Sequence, residues 1–478
     1  MSKSLMLALY ALGAALALML LVGVILLLSW RGHARAQMQA AASQALGMQV
    51  TIDGPVSLKF FPSVAVSLKD LHIRNRGSDL ASAGQATLGI ELVSLLRRQV
   101  RIARLELRRV SVSLERGRDG RLNFEASSPG ATAIPDIEST ELSFTDLAFS
   151  YSNRQQGTHV QALDCDVKAS DVRVAASGGA DLMNRLSLAA KVSCRQINIR
   201  DLPLSDVKFT AVCGNGVLQT GDLTLRAFGG QGSALLRADF AGPVPAWRLH
   251  AALSRFRLAE FSKNFSQKAF GDGLMDFSTE LTMAGKDADA MTRSSNGDAS
   301  LHGTDLTLAV GNLDAELSQY KATQRFNLVD LGGFLLAGPI GLAVTKGYDY
   351  AKVISSSGGS SQIKTFISEW HVDHGVAQAT DVAMSTRSNR VALKGGLDFV
   401  NQSFQEATVA VIDRQGCAVV EQKVRGSFSH PDVGEPNIVT SLAGPALHLL
   451  DKARHVVGGH CQVFYSGALP PPPLDPAR

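Results

Sequence analysis

Most of the chain alternates between apolar and polar residues, the period of a strand with one buried face. Val50 and Ile52, then Val56, Leu58 and Phe60, lie around a Gly54-Pro55 turn; Val64, Val66 and Leu68 continue the pattern, followed by Leu71 and Ile73. Leu88, Ile90 and Leu92 form another run, and Leu95-Leu96 turns the chain toward Val100 and Ile102. The alternation then slips at Ala103-Arg104, resumes at Leu105 and Leu107, slips at Arg108-Arg109 and resumes at Val110, Val112 and Leu114. Two slips in one ladder predict bulges that curl the sheet. The same period returns at Leu142, Phe144, Leu147, Phe149 and Tyr151, and at Leu186, Leu188, Ala190, Val192 and Cys194. It continues at Val207, Phe209, Ala211 and Cys213, then at Leu223, Leu225 and Ala227. Strands recurring about every ten residues predict a sandwich, a barrel or a long antiparallel array. No strict sequence repeat is visible.

Helical spacing is confined to a few places. Arg35 to Leu46 is a short Ala- and Gln-rich helix ended by Gly47. Leu258, Phe261 and Phe265 form a second helical segment, ended by Gly271-Asp-Gly273, and Leu313, Leu317 and Tyr320 a third, with Asn312 as its cap. Ala443, Leu447, Leu450 and Arg454 predict a last helix before Gly458-Gly459. Residues 126–133, 286–300 and 355–361 read as loops.

The N-terminus is different in kind. From Ser4 to Trp30 there is no charged side chain, and Leu5 to Trp30 is a run of 26 residues. As a helix it would reach roughly 39 Å, enough to cross a bilayer and longer than the core of a cleaved signal. An uncleaved membrane anchor is expected. Lys3 on one side and Arg31, His33 and Arg35 on the other leave its orientation open. Residues 331–344 are the next most apolar stretch, but Gly338-Pro339 interrupts them, which favours a buried or capping segment.

Composition narrows the chemistry. The chain has 478 residues, 47 basic and 43 acidic, which argues against a nucleic-acid binder relying on bulk charge. Five cysteines exclude a dense disulfide or cysteine-rich zinc scaffold. Arg97, Arg98, Arg101, Arg104, Arg108, Arg109, Arg116, Arg118 and Arg121 make either a solvated outer strand face, the favoured reading, or a patch for anionic headgroups. The sequence holds no G-x-S-x-G, P-loop, H-E-x-x-H or G-x-G-x-x-G motif, so no enzyme activity and no cofactor are expected. His371 and His374 face opposite ways in a strand and make a poor metal pair. Cys417, His455, His460 and Cys461 contain the donors for a zinc site, but a Cys417–Cys461 disulfide is simpler. Cys165, Cys194 and Cys213 occupy apolar slots, as buried thiols or with one pair among them.

Several segments carry a family resemblance. Val50-Thr-Ile-Asp-Gly-Pro-Val56, Phe60-Phe-Pro-Ser63, Leu68-Lys-Asp-Leu71, Val93-Ser-Leu-Leu-Arg97 and Asp119-Gly-Arg-Leu-Asn-Phe124, in this order after an apolar anchor, resemble the N-terminal part of the AsmA family. Phe124 stands where the family often has Trp. Asp381-Val-Ala-Met-Ser-Thr-Arg387, Lys423-Val-Arg-Gly426 and Cys461-Gln-Val-Phe-Tyr-Ser-Gly467 resemble its C-terminal part, while residues 135–300 match only in style. The resemblance implies an inner-membrane anchor through residues 5–30 and a periplasmic bulk. It also implies a long curled sheet whose apolar groove conducts phospholipids in outer-membrane lipid homeostasis and biogenesis. It strengthens the Cys417–Cys461 pairing.

The expected architecture is therefore mainly β: a transmembrane helix, then an elongated, curled antiparallel β-groove with a few short helices. Its divisions are an anchor (1–34), an N-terminal groove region (35–300), a C-terminal region (301–466) and a Pro-rich tail (467–478). The groove candidates are Ile90, Leu92, Leu107, Val110, Val112, Leu114, Phe144, Phe149, Leu188, Val192, Phe209, Leu223 and Leu225. The alternative is a structural or regulatory factor for outer-membrane protein assembly or protein localisation to the membrane. Such a factor would bind a periplasmic or outer-membrane protein rather than lipid. Nucleic acid is not an expected partner.

Overall fold

The structure is a computed structural model that describes residues 34–59, 64–75, 77–90, 102–123, 137–154, 157–174, 182–200, 202–264, 271–309, 312–315, 359–438 and 461–471. The expected anchor, Leu92, the 331–344 stretch, the helix expected near 443–454, His455 and His460 lie outside them. Among the described residues no helix is long and apolar enough to cross a membrane. The chain divides into two compact units, Met1–Arg226 with Ser233–Trp247, and Ala227–Gly232 with Arg248–Arg478.

The first unit opens with helix α1 (Ala34–Leu46), closed by Gly47 at φ 63°. Strands β1 (Gln49–Ile52) and β2 (Val56–Lys59) both pair with β3 (Val64–Asn75), one on each half of it. The split has a local cause. Asp53 and Gly54 donate their backbone N–H groups to the carbonyls of Asp70 (2.9 Å) and Lys69 (3.1 Å), where β3 is bulged. Only glycine fits this approach, since a Cβ on Gly54 would stand 2.6 Å from that of Lys69. Helix α1 lies along β1, with the Ser43 hydroxyl accepting the Val50 N–H at 2.9 Å, and so engages an outer strand.

The sheet continues through β4 (Ser78–Ile90), β5 (Ile102–Arg116), β6 (Ile137–Asn153), β7 (Thr158–Val174), β8 (Leu186–Ile199), β9 (Leu202–Gly214) and β10 (Val217–Ala227). Each strand from β3 to β10 pairs with the next. One pairing departs from the antiparallel expectation: β5 and β6 run parallel, Leu107 facing Phe144 and Val112 facing Phe149. A tight hairpin cannot make a parallel pair, and these two strands are separated in sequence by residues 117–136, long enough for a crossover. Short helix α2 (Leu182–Arg185) precedes β8.

Both slips expected in β5 are present. Ala103 is skipped between the pairs Gly89–Arg104 and Ile90–Ile102, and Arg109 has φ 49°. The device recurs across the molecule. Residues 68–73, 107–112, 144–149, 162–167, 204–209, 220–225, 253–258, 303–308 and 404–409 share one plan, in which the first, fourth and sixth residues face the same way. The third residue takes φ between 46° and 54°; it is Asp70, Arg109, Asp146, Asp164, Asp206, Asp222, Arg255, Asp305 or Glu406. Aspartate tolerates this left-handed conformation better than most side chains. Each such residue re-phases its strand, so the apolar set stays on one face while the strand bends.

Strand β11 (Gly230–Asp239) falls mostly in the first unit, while β12 (Ala246–Arg257) runs into the second unit and leads into α3 (Leu258–Ser262) there. Strands β13 (Gly271–Ala284), β14 (Asn296–Leu308), β15 (Ser361–Asp373), β16 (Val376–Ser385), β17 (Arg390–Asp398), β18 (Ser403–Ile412) and β19 (Ala418–Ser427) pair in order, all antiparallel. Strands β20 (His430–Val433) and β21 (Asn437–Ile438) both pair with β19. The loop expected over 286–300 is instead α4 (Ala288–Arg293), capped by Asp287 on Ala290 N–H at 2.8 Å, followed by the start of β14. Asp287 is an N-cap signal that the run of polar and small residues concealed. Asn312 caps a helical turn at 313–315 as expected, accepting the Ala315 N–H at 3.0 Å.

One face of the sheet in the second unit carries a dense core that includes Phe256, Leu258, Met275, Phe366, Val391 and Val409, each at most 2% exposed. The opposite face carries a row of small residues, Ala383, Ala392 and Ala410, on three adjacent strands. Tyr465 and Leu469 pack there, held by the Cys417–Cys461 disulfide, by the Arg390 guanidinium on the Leu469 carbonyl (2.9 Å) and by the Tyr465 hydroxyl on Asp381 (2.5 Å).

Candidate apolar binding face

Bulges and register together build three apolar rows across the first unit. Leu107, Phe144, Val167, Val192 and Phe209 stand opposite one another from β5 to β9. Val110, Leu147, Cys165, Cys194 and Val207 make the second row; Val112, Phe149, Ala162, Ile197 and Leu204 make the third. On β10, Leu225 packs against the second-row cluster, and Leu223 lies two residues before it in the strand.

The rows change character between β5 and β6. Leu107, Val110, Val112 and Leu114 are 1–7% exposed, packed into one cluster with Ile52, Leu68, Leu88 and Ala42 of α1. Directly opposite Leu105 and these four, Leu142, Phe144, Leu147, Phe149 and Tyr151 are only half-buried. The half-buried state extends over Val167, Leu188, Val192, Ile197, Leu204, Phe209, Leu223 and Leu225. Among the described residues of this part, the buried clusters are small, around Cys165–Cys194–Val207 and around Met183–Cys213, with Ala169, Val172, Ala211 and Ala227 also buried. A sheet with one apolar face ordinarily covers it with a second layer. Among the described residues, that cover is incomplete from β6 to β10.

The sequence candidates therefore occupy two environments. Leu107, Val110, Val112 and Leu114 belong to the closed part. Phe144, Phe149, Val192, Phe209, Leu223 and Leu225 lie on the half-open part, and Leu188 flanks the Cys213 cluster opposite Cys213 itself. Ile90 pairs with Ile102 at the end of β4. Leu147, Tyr151, Ile197 and Leu204 also lie on the half-open part but were not among the candidates. The left-handed Asp206 separates Leu204 from Val207 by an odd step, which breaks a strict two-residue count.

Chemistry on this face is sparse. Cys165 and Cys194 stand opposite each other and form a disulfide with Cα atoms 4.0 Å apart, leaving Cys213 as the free, buried thiol. Burial pushes the Cys213 thiol up. At the parallel junction, Arg104 donates to both carboxylate oxygens of Glu141 at 2.9 Å, and this bond holds the Glu141 carboxyl below its ordinary range. Arg108 and Arg109 are exposed. His371 pairs with Asp298 at 2.8 Å and His374 with Asp373 at 2.7 Å. Among the described residues no group of three or more His, Cys, Asp or Glu is placed to hold a metal.

Residues 1–133 match the AsmA family. The AsmA match includes the apolar N-terminal run, α1 and strands β1 to β5, and ends before the half-open part begins. No curated protein and no solved structure matches the chain. The AsmA resemblance read from Val50–Val56 through Asp119–Phe124 is thus supported over the N-terminal part.

Proposed function

We propose that this is a membrane-anchored AsmA-like protein that binds and conducts phospholipids along the half-open apolar face of β6–β10. The reading puts the anchor at residues 5–30 in the inner membrane and the bulk of the chain in the periplasm. The observation that carries it is the row Phe144–Val167–Val192–Phe209, an apolar stripe continuous with a closed core yet left half-exposed. Acyl chains suit such a stripe, because their attraction is non-directional and grows with buried apolar area, at about 25 cal/mol per Å². Headgroups stay at the wet margin, and no residue has a catalytic role. The service supplied is outer-membrane lipid homeostasis.

The test uses the full chain in detergent with a photo-reactive residue at Phe209, at Phe144 and, as a control, at Leu107. Phospholipid adducts from Phe209 and Phe144, and none from Leu107, are the expected result. Adducts to polypeptide instead of lipid would transfer the assignment to a protein-binding assembly factor. Absence of both would remove the binding role from this face.

A further inference from the structure

The edge of the second unit holds a site of a different kind. Strand β19 presents Glu421, Lys423 and Arg425 at alternate positions of one face, successive side chains spaced by about 6.6 Å. Its neighbour is interrupted. Asn437 of β21 stands opposite Glu421 and Asp432 of β20 opposite Arg425. Between them the chain detours through 434–436, tied by the Gly434 N–H to the Lys423 carbonyl (3.0 Å) and by Gln422 Nε2 to the Gly434 carbonyl (2.8 Å). The detour borders a cavity of about 340 Å³ whose lining includes Glu421, Lys423, Arg425, Asp432 and Glu435.

The lining carries three carboxylates and two cations, a net charge of −1. Among the described residues neither Lys423 nor Arg425 is in an ion pair within 4.0 Å, although Asp432 faces Arg425 across the ladder. A net negative cavity repels dianions such as inorganic phosphate or a phosphomonoester. A bare cation meets two positive side chains in the lining. A ligand with one negative and one positive charge satisfies both halves, with its anion across Lys423 and Arg425 and its ammonium between Glu421 and Glu435. We infer that this cleft binds a phosphodiester of an amino alcohol, the zwitterionic unit found in a phospholipid headgroup and in its soluble deacylated form. The site does not depend on the apolar face of β6–β10, and either assignment can fail without the other.

The experiment titrates full chain in a neutral detergent with glycerophosphoethanolamine, followed by ligand-observed nuclear magnetic resonance. Glycerophosphoglycerol, inorganic phosphate and ethanolamine serve as comparisons that carry charge of one sign only. The zwitterion is expected to bind at least about tenfold more tightly than each comparison, with tenfold losses in Lys423→Ala/Arg425→Ala and in Glu421→Gln/Glu435→Gln. A parallel titration with short-chain phosphatidylethanolamine distinguishes the source. Equal affinity for the free and acylated forms assigns the cleft to the headgroup unit alone, and tighter binding of the acylated form assigns it to the lipid. Circular dichroism melts of the variants verify that the fold persists. Equal binding of inorganic phosphate, no saturable binding by any probe, or unchanged binding in folded variants would overturn the assignment.

Discussion

Strands β3–β5 and β6–β10 of the first unit share a sheet, a period and a bulge plan, yet one part is closed and the other half-open. Leu107 is 1% exposed, while its partner across the ladder, Phe144, is half-buried. Alternation decides which side of a strand is apolar. Whether that side is covered depends on how much apolar bulk converges on it and on elements such as α1 that lie beside it. The contrast assigns stability to the first set and binding to the second.

The sharpest way to break this contrast is a buried charge. Leu107→Asp is expected to cost about 3–5 kcal/mol, because a carboxylate in a closed core has no partner or water. Phe209→Asp, on the half-open part, is expected to cost under about 2 kcal/mol while abolishing lipid crosslinking from Phe144. Denaturant melts of both variants would collapse the distinction if their losses were equal. Next in size is the staple in the second row. Removing the disulfide with Cys165→Ser/Cys194→Ser is expected to cost about 2–4 kcal/mol and to raise amide exchange in β7 and β8 before β4 and β5. Uniform exchange across all four strands would show that the half-open part does not depend on that bond.

Smaller effects test the re-phasing residues. Asp206→Val places a β-branched side chain at φ 51° and is expected to cost about 1–2 kcal/mol, whereas Asp206→Gly should be nearly neutral. A thermal melt that ranks them the other way would show that the carboxylate, and not the backbone conformation, is what the position requires. The smallest effect concerns the junction itself. Glu141 has a depressed carboxyl pKa from its bonds to Arg104. Its contribution is complete above the ordinary glutamate value of about 4.3 and is lost as pH falls through the lower folded value. The pair is solvent-exposed, so the melting difference between the native chain and Glu141→Gln should be slight near neutrality and vanish in acid. A difference that grew toward low pH would contradict the sign.

Much of this architecture is legible in the residues. The slips at Ala103-Arg104 and Arg108-Arg109 could be read because charged pairs interrupt an otherwise regular run. The slip at Ser205-Asp206 is harder to see, since a small polar residue before Asp looks like a turn, and it puts Leu204 outside a strict two-residue count; in β8 the odd step from Cys194 to Ile197 does the same. The recurring plan is visible once its third position is known to be left-handed, but its letters differ, from Leu-Lys-Asp at 68–70 to Phe-Gln-Glu at 404–406. The parallel pairing of β5 and β6 depends on where the segment 117–136 returns, which local pattern does not encode. Asp287 and α4 were hidden by a surface-like composition. Openness was illegible for a further reason: Leu107 and Phe144 occupy equivalent slots, and only their three-dimensional surroundings differ.

The nine left-handed positions carry a consequence for how such a chain can grow. Each of these strands contains its own correction of facing, so an offset arising in one of them is cancelled before the chain turns. Whole strands of this kind can be gained or lost without retuning the remainder.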